Sequence, residues 1–169
     1  GVRAQRLDRL VDLPKVEDRI GRPLSPYAVT KYLNELYADV FGRCYGTATA
    51  GLRYFNVFGP RQDPRGPYAA AVPIFIESAI TGVPLTIFGD GEQTRDFVSV
   101  KDIVAANVHF ATTPGLTGVY NVARGGRITI NDLAKKIIAM PGSRSTITHL
   151  PGRAGDVKHS TASVVKLTA

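Results

Sequence analysis

Short runs rich in β-branched and aromatic residues alternate along this chain with helix-length amphipathic segments, and that alternation constrains the fold more than any other feature. The runs are TATAGLRYFNVFG (47–59), LTIF (85–88), RDFVSV (95–100), GVYNVA (118–123) and TITHL (146–150). Between them the spacing of apolar residues predicts helices over 27–44, 69–81, 101–112 and 130–140. Parallel strands need crossover connections of helix length, so the pattern predicts an α/β fold built on one sheet. No internal repeat or low-complexity linker interrupts it. PRQDPRGPY (60–68) reads as a loop and Gly89-Asp90-Gly91 as a turn.

Composition narrows the function classes. A chain of 169 residues, 44% apolar and 21% charged, suits a folded domain with a core and argues against disorder. The longest apolar run, AAAVPIFI, is broken by Pro73 and falls far below the roughly 18 residues of a membrane span, so no membrane partner is expected. The first residues, GVRAQRLDRLVDLPK, lack the apolar core and cleavage site of a secretory leader. Cys44 is alone and forms no internal disulfide, which leaves a cytoplasmic location as the expectation. The net charge of +7 comes from scattered Arg and Lys without a recognition-helix or aromatic-plus-basic strand signature, so nucleic acid is not an expected partner. Scattered Arg suits a small anionic ligand such as a diphosphate. His109, His149 and His159 have no partner at metal-ligand spacing, and no metal site is expected.

SPYAVTKYLNELYADVFG (25–42) carries the first chemical signal. Ser25 is a plausible N-cap and Pro26 fits the first helical position, which puts Tyr27 and Lys31 four apart on one helix face. A free phenol titrates near pH ~10, and a neighbouring cation lowers that value by stabilising phenolate, so Tyr27 would become a usable acid/base. Such a pair alone more often marks a solvated helix face. Its context is PLSPYAVTKYLNE, then LRYFNVFGPRQ, GDGEQTRDFVSVKDI, YNVARGG and RAGDVKHS, in that order.

The ordered set, from about Leu13 to Leu167, resembles the extended short-chain dehydrogenase/reductase superfamily, in particular its NAD-dependent nucleotide-sugar epimerases and dehydratases. GLRYFNVFGPRQDPRGPYAAAVPIF looks closest to the UDP-N-acetylglucosamine and UDP-glucose 4-epimerases of polysaccharide biosynthesis. The fold implied is the C-terminal part of a Rossmann-like doubly wound parallel sheet plus a smaller α/β substrate-binding region. Residues 13–60 would be a remnant of the NAD-binding domain and 61–169 mostly the nucleotide-sugar region, with 1–12 departing from the pattern. The resemblance implies that Tyr27 takes the proton of the sugar 4-hydroxyl while hydride passes to NAD, and that Lys31 holds the nicotinamide ribose. A 4-keto sugar would then turn in the pocket and receive the hydride on its other face. Tyr54, Phe55 and Val57 would lie near the nicotinamide. Asn56 would bond the diphosphate or sugar, Ala70 and Ala71 would meet uridine and phosphates through their backbone, and Thr86 and Phe88 would contact uracil and ribose. Arg95 and Arg153 would supply cations for the diphosphate, and Asp156 a carboxylate for ribose hydroxyls. A homodimer pairing through the helix that carries Tyr27 is implied as well.

Departures from the family are equally legible. There is no glycine-rich GxxGxxG turn for the NAD pyrophosphate. The family Ser or Thr expected near positions 2 to 4 is replaced by Val2, Arg3 and Ala4. A chain truncated at both ends is therefore expected. A sugar-nucleotide 4,6-dehydratase or UDP-glucuronate decarboxylase, which share Tyr27 and Lys31, and a silent fragment retaining only UDP-sugar binding stay open as alternatives.

Overall fold

The computed structural model describes residues 13–19, 21, 23, 25–66, 69–153 and 157–169; the 1–12 segment and Asp156 lie outside the described residues. Helix α1 (Pro26–Tyr45) starts where its capping signals predict. The Ser25 side chain accepts a hydrogen bond from the Ala28 N–H at 3.1 Å, and Pro26 sits in the first turn, where its missing N–H costs nothing. Gly46, in the left-handed region at φ 66°, ends the helix by donating its N–H to the Gly42 carbonyl.

The run predicted as one strand over 47–59 is two strands, β1 (Ala50–Tyr54) and β2 (Asn56–Phe58), parted at Phe55. β1 pairs in parallel with a strand at Gly118–Val122, and β2 in parallel with one at Phe97–Ser99. The cause is a change of partner. The Phe55 N–H donates to the Val122 carbonyl at 3.3 Å, and the next N–H, that of Asn56, donates to the Asp96 carbonyl at 3.1 Å. Successive N–H groups of an extended chain point to opposite edges, so the strand leaves one neighbour and takes up another on its other side.

The stretch 95–100 likewise divides. After α2 (Ala71–Thr81) and β3 (Leu85–Phe88) come β4 (Thr94–Arg95) and β5 (Phe97–Ser99), with Asp96 between them. Then follow α3 (Val100–Thr112), β6 (Gly118–Val122), β7 (Ile128–Thr129), α4 (Ile130–Ile138), β8 (Ile147–Leu150) and α5 (Val165–Thr168). β3 pairs with β8 in parallel, whereas β4 pairs antiparallel with β7, a strand the sequence pattern does not announce. The short α5 is also unannounced. The outcome is a mixed α/β fold dominated by parallel strand pairs, as the alternation predicts.

Two apolar cores hold these elements. Phe75 and Ala79 of α2, Leu85 and Ile87 of β3, and Ala134 and Ile137 of α4 form one; Val98, Ile103 and Val122 form the other, with Leu52 and Val57 packed on it. Leu52 thus faces α3, while its neighbour Arg53 faces the other way and meets α1. Helices therefore flank β1 on both faces, the arrangement of a doubly wound sheet. Among the described residues no helix is long and apolar enough to cross a membrane.

No residue of α1 is buried, and Val29, Leu33, Leu36 and Val40 are 40–44% exposed. A two-pronged ion pair holds the helix instead. Arg53 Nε and Nη2 each lie 2.7 Å from an oxygen of Glu35, and Arg53 Nη1 donates to the Glu17 carbonyl at 2.9 Å. The hydrogen bonds to Glu35 push the Arg53 pKa up. Both side chains are only 20–22% exposed, so removing one partner leaves the other poorly solvated. Arg53→Met is expected to lower stability by roughly 2 kcal/mol, between the values for exposed and fully buried pairs. Urea unfolding measures this, and a midpoint equal to wild type would show that the pair is not what anchors α1.

Candidate functional site

Tyr27 and Lys31 occupy the first turns of α1, both exposed. The Lys31 ammonium stands over the Tyr27 ring, 5.2 Å from its centroid. The cation thus meets the face of the ring, and Tyr27 as a residue is 64% exposed.

Asn56 heads β2, half-buried opposite Phe97. Its Nδ2 donates to the Asp96 carbonyl at 3.2 Å, the same oxygen that accepts from its own backbone N–H. Asp96 is wholly buried, and its carboxylate accepts from three backbone N–H groups: Arg124 at 3.0 Å, Gly125 at 3.0 Å and Ala162 at 3.3 Å. A buried carboxylate is tolerable only when so satisfied. Asp96 therefore ties β2, the turn after β6 and the C-terminal segment to the break between β4 and β5, one residue after Arg95. The Arg95 Nη1 donates to the Thr94 carbonyl at 3.0 Å.

Of the residues expected near the cofactor, Phe55 lies at the break between β1 and β2, and Val57 packs on the Val98 core. Tyr54 points to α3, its hydroxyl donating to Asn107 Oδ1 at 2.8 Å. That is the face of β1 opposite the one on which Arg53 meets α1, so Tyr54 and the helix bearing Tyr27 are on different sides of the strand.

A second group gathers at β3. Leu85 and Ile87 are fully buried, and alternation turns Thr86 and Phe88 to the other face. The Arg153 guanidinium lies over the Phe88 ring, 3.7 Å from its centroid. Gln93 Nε2 donates to the Phe88 carbonyl at 2.8 Å and steadies the end of the strand. Ala70 is the N-cap of α2 and has no side chain to cap it, so the first N–H groups of the helix are available to an anion. Ala71 packs against the Phe75 core. Among the described residues no three His, Cys, Asp or Glu side chains are grouped to hold a metal ion.

The described residues offer an aromatic face with a guanidinium, an uncapped helix start and, at Asn56 and Arg95, an amide and a second guanidinium. That set can bind an aromatic polyanion, while Tyr27 and Lys31 can move a proton. Asp96 and the Glu35–Arg53 pair are what sequence reasoning missed. The one visible signal for Asp96 was an acidic residue standing between an Arg and an otherwise apolar strand.

Comparison with known proteins gives a matching family and several relatives. The family model described as the NAD dependent epimerase/dehydratase family matches residues 11–123. A UDP-glucose 4-epimerase of Mycolicibacterium smegmatis is 36% identical over 147 residues, 87% of this chain and 47% of that protein. A UDP-N-acetyl-alpha-D-glucosaminuronate decarboxylase of Bacillus cytotoxicus is 36% identical over 130 residues, 74% of this chain and 38% of the relative. The solved structure of UDP-N-acetylglucosamine 4-epimerase from Methanobrevibacter ruminantium M1, in complex with UDP-N-acetylmuramic acid, matches with a TM-score of 0.86 and 42% identity over 93% of this chain and 50% of its own. The chain thus spans about half the length of these relatives at most.

Proposed function

We propose, since this chain belongs to the NAD dependent epimerase/dehydratase family, that it is the nucleotide-sugar-binding and proton-transfer part of an enzyme acting on UDP-sugars at C4. The observation that carries this reading is the double bonding of Asn56 to the backbone carbonyl of the buried Asp96, the residue that follows Arg95 in the chain. An amide and a guanidinium suit a diphosphate, and the Phe88–Arg153 stack suits a uracil. Tyr27 exchanges a proton with the sugar 4-hydroxyl, and Lys31 holds a ribose hydroxyl of the cofactor.

NAD, when bound, supplies the acceptor and donor of hydride. Tyr27, exposed as a residue, and the adjoining ammonium suit its nicotinamide ribose. The sequence carries no glycine-rich turn for its pyrophosphate, so that part of the cofactor is not held by these residues. Within this reading 4-epimerisation of UDP-N-acetylglucosamine or UDP-glucose is preferred, with a homodimer, a cytoplasmic location and a part in polysaccharide synthesis as further elements of the proposal. The decarboxylase relative supports a second reading, decarboxylation of a UDP-uronate.

Calorimetric titration with UDP tests the binding half of the proposal. The chain is expected to bind, and Arg95→Ala to weaken binding by roughly 1.5–3 kcal/mol, the range for a charge-assisted hydrogen bond. A folded chain that ignores UDP would overturn the proposal; equal affinity in the variant would return Arg95 to the surface charges. Epimer formation or carbon dioxide release, measured once an NAD-binding half is supplied, separates the two readings.

A further inference from the structure

The segment around Lys15 is far from the C-terminal segment in sequence but pinned to it in space. The Lys15 N–H donates to the Thr161 carbonyl at 2.9 Å, and the Lys15 carbonyl accepts from the Ser163 N–H and from Asn121 Nδ2, each at 2.9 Å. Asn121 is itself buried, and its N–H donates to Glu17 Oε1 at 2.9 Å. A residue whose backbone is held by three bonds presents its side chain in a fixed direction.

That direction follows from register. Lys15 bridges Ala162 in parallel, and Thr94 bridges His159 in parallel. Bridge partners share a face and successive residues alternate. Thr94 and His159 share one face, where Thr94 Oγ1 and His159 Nδ1 lie 3.0 Å apart. Arg95, Ser160, Ala162 and Lys15 therefore share the other. Lys15 is half-buried, and among the described residues no carboxylate pairs with its ammonium. Burial, and then the Arg95 guanidinium, push its pKa down. A half-buried ammonium beside a second cation destabilises the free chain, and a ligand with at least two negative charges offsets that repulsion.

We infer that Lys15 is a second cation of the Arg95 subsite, so that a diphosphate is gripped from two sides of one face. The inference rests on the nucleotide-sugar reading for the identity of the ligand and adds a residue to which neither the motifs nor the resemblance assigns a role. Two cations suit a diphosphate better than a monoanion, which makes this pair a basis for preferring nucleoside diphosphates over nucleosides.

Calorimetry of the chain and of Lys15→Met, with UDP and with uridine, tests it. Wild type is expected to prefer UDP. Lys15→Met is expected to lose about ten-fold in UDP affinity, to keep its uridine affinity, and to melt no lower than wild type because an unfavourable buried charge has gone. Lys15→Arg, which retains the charge, should recover most of the loss. A Lys15→Met variant that binds UDP like wild type, or a Lys15→Arg variant as weak as Lys15→Met, would overturn the assignment and leave the nucleotide-sugar reading standing. A wild-type chain that binds UDP no better than uridine would instead remove the reading itself.

Discussion

Tyr27→Phe, in a chimera that places this segment behind the N-terminal half of the 42%-identical Methanobrevibacter epimerase, is expected to cut turnover about a hundred-fold or more while leaving UDP affinity unchanged. The substitution removes one oxygen and keeps the ring, and it is the ring that the Lys31 ammonium stands over. The first turn of α1 should therefore keep its shape while losing its only means of carrying a proton. Of the groups assigned to the diphosphate, Asn56 is bonded to the Asp96 carbonyl and Arg95 to the Thr94 carbonyl, and neither bond involves the phenol. Initial rates of epimer formation and UDP titration on the same preparation measure both quantities. Undiminished turnover would take Tyr27 out of the chemistry, and a parallel loss of UDP affinity would make it a binding residue instead.

Asp96→Ala should be the most destabilising single change in the chain. It strips the acceptor from the N–H groups of Arg124, Gly125 and Ala162 at a site with no exposure to water. Each stranded donor costs about 1–3 kcal/mol, so a total near 4 kcal/mol is expected, a large share of the roughly 5–15 kcal/mol that holds an ordinary domain together. Asp96→Asn should fall between, because its amide keeps one acceptor oxygen but turns an NH2 toward a backbone donor. Urea midpoints of the three proteins measure the order. If alanine and wild type unfolded together, the three bonds to the carboxylate would not be what holds these segments together.

What could be read from the sequence was whatever is encoded locally. The ends of α1 are spelled by Ser25, Pro26 and Gly46, each acting on groups within one turn of itself. The Tyr27 and Lys31 pairing follows from helix periodicity alone. The break at Phe55 was hidden, since LRYFNVF is uniformly suited to a strand and the change of partner is decided by strands some forty and nearly seventy residues further on. β7, with two residues, is too short to show any periodicity. Asp96 and Lys15 escaped notice for a related reason: their partners are backbone groups or a face defined by bridges, and neither leaves a mark in side-chain identities. For Tyr54, adjacency to Asn56 in sequence does not say on which side of the strand its hydroxyl finds a partner, which in the fold is Asn107 of α3.

The handover at Phe55 also restricts how the length of this chain can vary. Between Tyr54 and Asn56 every residue has an assigned edge, so losing or gaining one there would turn Asn56 from the Asp96 edge to the Val122 edge and reverse the faces of all that follows in β2. Substitution is tolerable at that point; insertion and deletion are not. Length differences among proteins that share this strand should accordingly collect in the connection after Phe58, leaving the spacing from Arg53 to Asn56 constant.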